Sequence, residues 1–444
     1  MGTIYLTDRQ AGTIGIEAGE EVLLRAGVRS CLATVRIVPT KPRTPLLPEL
    51  LNHLRWPINL PCQLAYSRRE QAFVAGPLLG IFSYRYPNKP YVWSAHLKET
   101  QRYAREMGVV AVVFGPTDIN WEDRTVTGVI LRGDEWQQQT LPLPRVIYNR
   151  IPSRKFENLP EVSDLKKRLA DIPGLILFNP RYLDKWETHQ LLQKHVAVRP
   201  LLPETRLLQK AEDLWPLVKE HRVIYIKPIH GTQGLGIYRI GLHPSGGYSW
   251  ISRHSTATLG LAYTRTAIEA KIKRLLERTA YVAQQGLRLA LIEGAPFDIR
   301  LLAQKDGQGV WRITKVFGRI APPGKFTSNL SQGGRAMGIL NSLKAASLPP
   351  KRKRQAILKE LQRWGESLPR ILEESAAMTL GELGLDLALD RGGKLWLLEI
   401  NAKPFKRLDE GEGDPRLVRL ALERPIAYGR FLDGFDNKGG DDSP

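Results

Sequence analysis

Two apolar runs near the C-terminal end, residues 384–390 and 395–404, constrain this chain more than any other feature. An Arg-Gly-Gly-Lys turn separates them, so the pattern predicts a buried β-hairpin. Asp386 lies on the first predicted strand. Glu399 and Asn401 lie two positions apart on the second, so these two side chains share a face. Oxygen donors on neighbouring buried strands suit a hard cation such as Mg²⁺. A surface hairpin with ordinary acidic residues is the alternative, and the apolar flanks disfavour it.

The length and composition describe an ordinary folded chain. Its 444 residues are 42% hydrophobic and 25% charged, which predicts two or three domains with cores of their own. No apolar run approaches the ~20 residues that a membrane span needs, and residues 1–10 contain no secretory signal. Cys31 and Cys62 are too few for a disulfide framework or a cysteine zinc site, so the expected compartment is a reducing cytoplasm.

The net charge of +20 predicts attraction to polyanions such as nucleotide phosphates, acidic peptides or nucleic acid. No nucleic-acid-binding motif accompanies the charge, which disfavours nucleic acid and leaves an acidic partner open. The densest basic run, residues 351–354, begins a predicted helix and is expected to be a solvated face. A general basic bias that keeps the chain soluble is an equally good interpretation of the charge.

The sequence of the first third of the chain predicts two structural domains, and neither contains a catalytic motif. Residues 1–70 are rich in strand-forming residues and predict a β-rich accessory domain. Residues 76–155 predict an α/β domain, because residues 78–114 follow a strand, helix, strand pattern that is typical of a βαβ unit. Asp118 and Asn120, in the loop after the second of these strands, are either loop caps or substrate contacts, and capping is favoured.

A glycine-rich loop between two predicted strands has the chemistry of a phosphate site. It follows the strand 223–228, which contains Lys227, and it opens into another strand at 237–240. Rossmann and Walker loops open a helix whose N-terminus holds the phosphate, so both folds are excluded. A β-hairpin flap with exposed N–H groups and a nearby lysine still suits phosphate oxygens, although a purely structural hairpin is the alternative. The loop residues assigned to phosphate are Gly231, Thr232, Gln233, Gly234 and Gly236.

Two further segments are candidates for nucleotide contacts. Asp184 is expected to cap a helix at 185–194, so Lys185 falls in the first turn, where the helix dipole does not favour a cation. A contact with a ligand would explain that lysine, and simple exposure is the alternative. Downstream, a predicted strand continues into an extended link that can present backbone groups to an adenine edge. The residues assigned to this contact are Gln284, Gln285, Gly286 and Leu287.

Paired apolar strands between residues 297 and 319 carry cations at alternating positions. Arg300, Lys315 and Arg319 lie on these strands, where a cation is costly unless it meets an anion. A polar, glycine-containing loop with Asn329 follows them. This arrangement predicts that the strands face an anionic group.

In this order, the motifs resemble those of an ATP-grasp enzyme. The spacing of 13 residues from Asp386 to Glu399 is similar to that of the metal hairpin in the D-alanine–D-alanine ligase and tubulin tyrosine ligase types. Residues 297–300 together with the loop 328–334 resemble the ribosomal-protein glutamate-ligase branch.

Over most of its length the chain resembles the YheC/YheD group, which is described as endospore coat-associated ATP-grasp proteins. The segments 114–122 and 148–154 contribute to this resemblance, which covers about residues 76–405. In the flap, Thr232 and Gln233 replace smaller residues that are common in the family.

The resemblance implies an α+β or α/β architecture with an ATP-grasp fold of two α+β lobes. The ATP-grasp domain would span 175–410, with a flap subdomain at about 200–290. It would follow the small α/β pre-grasp domain at 76–155 and the N-terminal β-rich domain. Beyond the resemblance, residues 411–444 are expected to form a C-terminal helix and a tail, and the acidic, glycine-containing composition from Asp433 to Pro444 predicts that this tail is disordered.

The resemblance also implies the chemistry of an ADP-forming carboxylate–amine ligase. ATP would bind between the lobes through Lys185, Lys227, the flap and the link, with Lys315 and Asn329 as further contacts. Lys315, Asn329 and Lys403 are also candidates for contacts on the acceptor side. Mg²⁺, or Mn²⁺ in its place, would be held by the three hairpin donors. Arg300 and Arg319 would stabilise charge on an acyl phosphate made from a carboxylate substrate, and an amine would then form an amide or peptide bond.

Two other functions fit the same sequence. The first is an ATP-binding protein with weak or no turnover, which acts as an assembly or spore-coat factor. The second is a polyanion-binding protein, suggested by the net charge of +20. The sequence does not identify the carboxylate or the amine.

Overall fold

The chain folds into four β-sheets with helices packed against them. The computed structural model describes residues 2–40, 46–68, 70–86, 89, 91, 94–231, 234–252, 262–325, 328, 330, 333–348, 354–406 and 414–435. The sheets contain both parallel and antiparallel strand pairs. Parallel pairs lie in the first two sheets, and antiparallel pairs make up the two that follow.

The first sheet contains the strands of the N-terminal region. Its elements are β1 (Gly2–Leu6), α1 (Asp8–Ile14), β2 (Glu21–Ala26), β3 (Arg29–Ile37), α2 (Pro48–His53), β4 (Gln63–Ser67) and β5 (Ala72–Gly76). The strand order is β1-β3-β2-β5-β4. Thr7 begins α1 with a capping box that includes Gln10, as a Thr-x-x-Gln sequence favours. The predicted β-rich character is confirmed, and the sheet continues beyond residue 70 to Gly76.

The second sheet has the strand order β10-β9-β7-β6-β11-β12, with β8 paired to β9. Its elements are β6 (Leu78–Phe82), α3 (Ser94–Glu106), β7 (Val110–Phe114), β8 (Ile119–Asn120), β9 (Thr125–Arg132), β10 (Glu135–Pro142), β11 (Val146–Asn149), α4 (Arg154–Glu157), α5 (Pro160–Ala170) and β12 (Ile176–Phe178). Strands β6 and β7 are parallel and α3 connects them, so the predicted βαβ unit is confirmed.

The loop that follows β7 caps itself rather than reaching a ligand. Asp118 accepts hydrogen bonds from the backbone N–H of Gly115 at 2.7 Å and from the Tyr91 hydroxyl at 2.9 Å. The Asn120 side-chain oxygen accepts from the N–H groups of Glu122 and Asp123. Of the two roles considered for these residues, capping is the one the hydrogen bonds support.

The third sheet carries the glycine-rich loop and has the strand order β13-β18-β14-β15-β16-β17. Its elements are α6 (Lys185–Gln193), β13 (Thr205–Leu208), α7 (Leu214–His221), β14 (Val223–Pro228), β15 (Tyr238–Leu242), β16 (Tyr248–Ser252), β17 (Ala262–Tyr263), α8 (Arg265–Leu276) and β18 (Tyr281–Gln285). The loop joins the antiparallel strands β14 and β15, so the predicted flap hairpin is confirmed. The Asp184 side chain accepts from the Glu187 N–H and caps α6, as the sequence predicts.

The fourth sheet has the strand order β22-β21-β20-β23-β24, with β19 paired to β20. Its elements are β19 (Leu291–Ile292), β20 (Ala295–Lys305), β21 (Trp311–Ile320), β22 (Arg335–Gly338), α9 (Ile339–Ala345), α10 (Arg354–Ala376), β23 (Glu382–Leu389), β24 (Leu395–Asn401) and α11 (Pro415–Leu432). Helix α10 packs against β20 and β21, and the buried leucines of β23 belong to the same core. Both the predicted β20–β21 pairing and the C-terminal hairpin are confirmed.

The C-terminal helix α11 connects the second sheet to the fourth, because it packs on α3 and β6 and also on β20 and β21. Asp433, just after this helix, is 1% exposed. Its carboxylate accepts from Arg25 and from the Leu78 N–H, both at 3.0 Å. The predicted disorder from residue 433 onward is therefore wrong for residues 433–435, and residues 436–444 lie outside the described chain. Among the described helices, none combines the length and the apolar character that crossing a membrane requires.

Candidate active site

A cavity of about 830 Å³ lies between the third and fourth sheets, and most of the predicted site residues line it. They come from the flap, the link after β18, the paired strands β20 and β21, and the C-terminal hairpin. The predicted site residues in the lining are Lys227, Gly234, Gln284, Gln285, Leu287, Arg300, Lys315, Arg319, Asp386, Glu399 and Asn401. Lys185 lies in an adjoining cavity of about 40 Å³, whose walls include Lys227, Gln284 and Glu399.

The three predicted metal ligands converge on one face of the hairpin. Asp386 lies opposite Glu399 in the antiparallel ladder, and Gly384 lies opposite Asn401. Cross-strand neighbours on one face have their Cβ atoms about 5 Å apart, so the three side chains are neighbours on one face, and all three line the cavity. Asp386 is 8% exposed, while Glu399 and Asn401 are partly exposed to the cavity. Their role as metal ligands stays a prediction.

Two arginines from the neighbouring strands surround Asp386. Arg300 Nε lies 2.7 Å from Oδ1 of Asp386, and Arg319 Nη2 lies 3.0 Å from Oδ2. Burial alone would raise the pKa of the Asp386 carboxyl. The charges of Arg300 and Arg319 outweigh it and hold that pKa below its usual range. The carboxylate is therefore ionised at neutral pH, which is the form that binds a cation.

Asp298 completes this buried charge cluster. Its carboxylate accepts two hydrogen bonds from Arg319, at 2.6 and 2.8 Å, and a further one from the Ser328 hydroxyl. Burial raises the pKa of Asp298, and the nearby Asp386 adds to the increase, while Arg319 opposes it. Arg319 is thus shared between two carboxylates, and this sharing fixes its guanidinium against the cavity wall.

The donor set around Asp386 fits a divalent cation. Its Oδ1 atom is buried and, within the described chain, accepts no hydrogen bond, because Arg300 Nε is close but poorly aligned. A buried carboxylate oxygen without a hydrogen bond is costly and is a natural position for a metal ligand. Two carboxylates and an amide oxygen suit Mg²⁺ or Mn²⁺, which prefer oxygen donors.

Two lysines lie on the flap side of the site, Lys227 in the lining of the main cavity and Lys185 in that of the adjoining cavity. The Lys185 ammonium donates to the Gly231 carbonyl at 2.6 Å and to Glu399 at 2.9 Å. Lys227, on β14, donates to Gln284 Oε1 at 2.5 Å, and Gln284 in turn donates to the Thr205 hydroxyl. Burial lowers the pKa of Lys227 to about 8, with Glu399 opposing this and Lys185 adding to it. A bound anion would restore the charge that burial disfavours.

The glycine loop is positioned by backbone geometry. Gly234 and Gly236 have φ values of 72° and 70°, a region that residues with a Cβ rarely adopt. Gly234 lines the cavity, and Gly231 contributes its carbonyl to Lys185. Thr232 and Gln233, two of the predicted phosphate contacts, lie outside the described residues.

The link after β18 is held by its own backbone. The N–H groups of Gln285 and Gly286 donate to the carbonyls of Glu204 and Val223, so neither is available to an adenine edge. A Cβ on Gly286 would lie 2.6 Å from the Val223 carbonyl oxygen, so close strand approach explains this glycine. Gly286 is absent from the cavity lining given by the described residues, whereas Gln285 and Leu287 belong to it.

Lys315 lies 8% exposed in the cavity wall beside Arg300 and Arg319. Asn329, predicted to lie near it, falls outside the described residues. The neighbouring Ser328 is described and donates to Asp298. The side of the cavity formed by β20 and β21 is therefore rich in cations, as the sequence predicts.

A buried cluster around Glu382 was not found from the sequence. Glu382 is fully buried and accepts from the Tyr148 hydroxyl, from Arg150 at 3.0 Å and from Gln304 at 3.0 Å. Lys406 Nζ lies 2.6 Å from the same carboxylate. Burial tends to raise the pKa of Glu382, but the charges of Lys406 and Arg150 lower it overall. This cluster fixes the start of β23 against the end of β11.

Asn179 clamps the two strands of the C-terminal hairpin. Its side-chain oxygen accepts from the N–H groups of Gly381 and Glu382, at 2.8 and 3.3 Å. Its amide nitrogen donates to the carbonyls of Glu382 and Ala402. The residue is 1% exposed and has a φ of 53°, which asparagine tolerates better than most residues. A lone buried asparagine beside a proline offers no pattern from which this clamp could be predicted.

The fold and the cavity define an ATP-grasp protein, in which a flap sheet and an acid-bearing sheet enclose the site. The chain belongs to the YheC/D-like ATP-grasp family, whose model matches residues 174–432, more than half of the chain.

Two curated relatives come from Bacillus subtilis strain 168. The chain is 28% identical to "Endospore coat-associated protein YheD" over 363 residues, which is 80% of this chain and 79% of that protein. It is 25% identical to "Endospore coat-associated protein YheC" over 319 residues, which is 70% of this chain and 84% of that protein. Both identities extend over most of each chain.

Among solved structures the chain is similar to the D-cycloserine synthetase DcsG, with 14% identity, a TM-score of 0.46, and coverage of 79% of this chain and 100% of that one. It is also similar to the ATP-grasp ligase PsnB in complex with a minimal precursor, with 13% identity, a TM-score of 0.44, and coverage of 78% and 98%. At these values the similarity identifies no substrate for this chain.

Proposed function

We propose that this protein is an ATP- and Mg²⁺-dependent carboxylate–amine ligase that forms an amide bond and releases ADP. The observation that carries the proposal is the convergence of two groups on one cavity. Lys227 and Gln284 lie on the flap side, and Asp386, Glu399 and Asn401 lie on the opposite side. Phosphoryl transfer depends on positioning and charge neutralisation, and these residues are suited to both.

The proposed roles follow from position and charge. Lys185 and Lys227 would bind phosphate oxygens, with the flap N–H groups above them. Asp386, Glu399 and Asn401 would hold the divalent ion, which neutralises phosphate charge when it is bound. Lys185 would exchange its contact with Glu399 for a phosphate, so that neither group loses a charged partner.

Arg300 and Arg319 would act on the reacting carboxylate. Both guanidinium groups line the cavity beside Asp386 and are held by carboxylates. A substrate carboxylate that attacks the γ-phosphate becomes an acyl phosphate, and charge develops on the transferred group. Fixed guanidinium groups stabilise such charge without reorganising. An amine would then displace phosphate and leave an amide or peptide bond.

The test is release of ADP by purified protein in the presence of Mg²⁺, ATP and mixtures of amino acids and short peptides. We expect at least one mixture to raise the rate of ADP release well above that with ATP alone. Mass spectrometry of the stimulating mixture should then show a condensed product. If ATP binds but no carboxylate and amine pair raises ADP release, the ligase proposal is wrong.

A second candidate is an ATP-binding protein with weak turnover that acts in the assembly of a spore coat. The observation that favours it is the similarity to two Bacillus proteins whose names describe them as endospore coat-associated. Tight ATP binding without condensation, together with location of the tagged protein at the coat of sporulating cells, would support it. The polyanion-binding alternative instead requires partner binding that falls steeply with added salt and does not depend on ATP.

A further inference from the structure

One wall of the cavity carries more positive charge than its own carboxylates balance. We define the basic wall as Arg154, Lys155, Lys403 and Lys406, all of which line the cavity. They come from α4 and from the segment after β24, at positions that the proposed nucleotide and metal contacts do not use. The wall therefore belongs to the part of the cavity left for a second ligand.

The carboxylates beside the wall are each shared by two cations. Glu157 lies 2.7 Å from Lys403 Nζ and 3.4 Å from Lys166 Nζ. Glu382 lies 2.6 Å from Lys406 Nζ and 3.0 Å from Arg150 Nη1. Each carboxylate can balance only one of its two cationic neighbours, and burial lowers the pKa of Lys403 to about 7 and that of Lys406 to about 8. A bound anion would favour the charged form of both lysines. An excess of buried positive charge is costly unless an anion joins it.

Arg154 and Lys155 add two more charges without a carboxylate within ion-pair distance in the described chain. Arg154 Nε is buried and donates no hydrogen bond within the described chain, although Nη2 of the same residue donates to the Leu183 carbonyl. The Arg154 guanidinium lies 5.2 Å from the centre of the Tyr182 ring, and Lys403 Nζ lies 4.6 Å from it. The ring thus holds two cations in place at the edge of the cavity.

Aromatic residues are neighbours of the wall residues in the chain, and two rings of this group, Phe405 and Tyr86, are exposed. Phe405, between two wall residues, is 52% exposed. Phe156 follows Lys155 and lies 4.5 Å from Tyr84 and 5.5 Å from Tyr86, between ring centres, and Tyr86 is 49% exposed. An acidic peptide could place several carboxylates on the wall cations and an apolar side chain against the exposed Phe405 ring, whereas a free amino acid has only one side chain.

We propose that the basic wall binds an acidic peptide, so that the carboxylate substrate of the ligase carries further carboxylates beside the reacting one. This inference rests on the proposed function for its meaning. It makes a separate prediction, because peptide binding can be measured without turnover.

The experiment measures binding of fluorescein-labelled tetraglutamate and tetraglutamine to the full chain with Mg²⁺ and a non-hydrolysable ATP analogue. We expect tetraglutamate to bind about tenfold more tightly or better, and unlabelled free glutamate to compete weakly. Arg154→Gln and Lys155→Gln should each weaken tetraglutamate binding about fivefold or more. Lys167→Gln, an exposed lysine on α5 that removes the same charge, should change binding less than about twofold.

Four other outcomes would contradict the inference. Equal affinity for tetraglutamate and tetraglutamine would show that the cavity does not prefer an acidic peptide. Equal loss of tetraglutamate affinity in Lys167→Gln and Lys155→Gln would show that the effect comes from the overall charge of the protein. If free glutamate competes as strongly as unlabelled tetraglutamate, the site recognises a single amino acid and not a peptide. Ligase turnover on neutral substrates would sink this inference and leave the proposed function intact. Tetraglutamate binding without any turnover would support this inference and contradict the proposed function.

Discussion

The Lys185 ammonium lies 2.9 Å from Oε1 of Glu399 and 2.6 Å from the Gly231 carbonyl oxygen, so one side chain joins the C-terminal hairpin to the glycine loop. A cation of the chain itself thus neutralises a proposed metal ligand. When a divalent ion and phosphates bind, both groups can exchange partners without a charge being left alone. Glu399 is consequently the residue at which metal and nucleotide binding should be most tightly linked.

We expect Glu399→Gln to weaken Mn²⁺ binding and metal-dependent ATP binding by about tenfold or more, because the amide removes one negative charge from the donor set. Electron paramagnetic resonance of free Mn²⁺ and calorimetry with ATP measure the two effects. Glu293→Gln serves as the control, since its side chain is 74% exposed and forms an ion pair with Arg335 at the surface. Unchanged Mn²⁺ affinity and unchanged ADP release in Glu399→Gln would refute the metal assignment.

The second prediction concerns the protonation of Lys227. Because burial lowers its pKa to about 8, a large fraction of the molecules carries a neutral lysine above that pH. A phosphate anion favours the charged form, so ATP binding near pH 8 to 9 should take up protons, and ATP affinity should fall as the pH rises further. Calorimetry in buffers of different ionisation enthalpy measures this uptake directly.

Two variants isolate the Lys227 effect. Lys227→Met should weaken ATP binding and abolish the proton uptake, while Lys227→Arg should keep the charge at all these pH values and also lose the uptake. Lys219→Met, at an exposed position on α7, should behave like the unmodified chain. Proton uptake that persists in Lys227→Met would assign the titration to another group.

The third prediction concerns the buried charge of Glu382. Glu382→Gln leaves Arg150 and Lys406 without their shared carboxylate, and breaking a buried ion pair on one side costs about 3–5 kcal/mol. The melting temperature should fall by roughly 6 °C or more. Far-ultraviolet circular dichroism on heating measures it, with the exposed Glu135→Gln as the control. A fall as small as that of the control would show that the cluster does not stabilise the fold.

Local patterns in the sequence predicted much of the site. The two apolar runs at 384–390 and 395–404 and the glycine loop before Tyr238 depend on neighbours a few residues apart, and both hairpins form as expected. The same is true of the cations on β20 and β21, which indeed face the cavity at Arg300 and Lys315. Short-range periodicity contains this information because it reflects which face of a strand is buried.

The features that were missed depend on partners far apart in the chain. Glu382 looks like an ordinary acidic residue at the start of a strand, and only the fold brings Tyr148 and Lys406 to it. Asp433 lies in an acidic, glycine-containing tail, a composition typical of disorder. It is nonetheless buried by Arg25, 408 positions earlier in the chain. At position 286, the close approach of the Val223 strand favours a glycine, and the predicted contact of Gly286 with a nucleotide stays a prediction.

The fourth prediction separates the two contributions of Asn179 to the hairpin that carries Asp386 and Glu399. Asn179→Ala removes the clamp and also forces a Cβ residue with little tolerance for φ of 53° into that conformation. Asn179→Gly removes the same hydrogen bonds but adopts this φ freely. Buried N–H and carbonyl groups left without partners cost about 1–3 kcal/mol each.

We therefore expect both Asn179 variants to melt several degrees lower, and Asn179→Ala to be the less stable by about 1 kcal/mol. Because the clamp holds Gly381, Glu382 and Ala402 in register, Mn²⁺ affinity should fall in both variants in step with the loosened hairpin. Thermal melting and Mn²⁺ titration on the same samples measure the two effects. Equal melting temperatures for the Ala and Gly variants would show that the positive φ at position 179 does not affect stability. Normal Mn²⁺ affinity in both would show that the three oxygen donors keep their positions without the clamp.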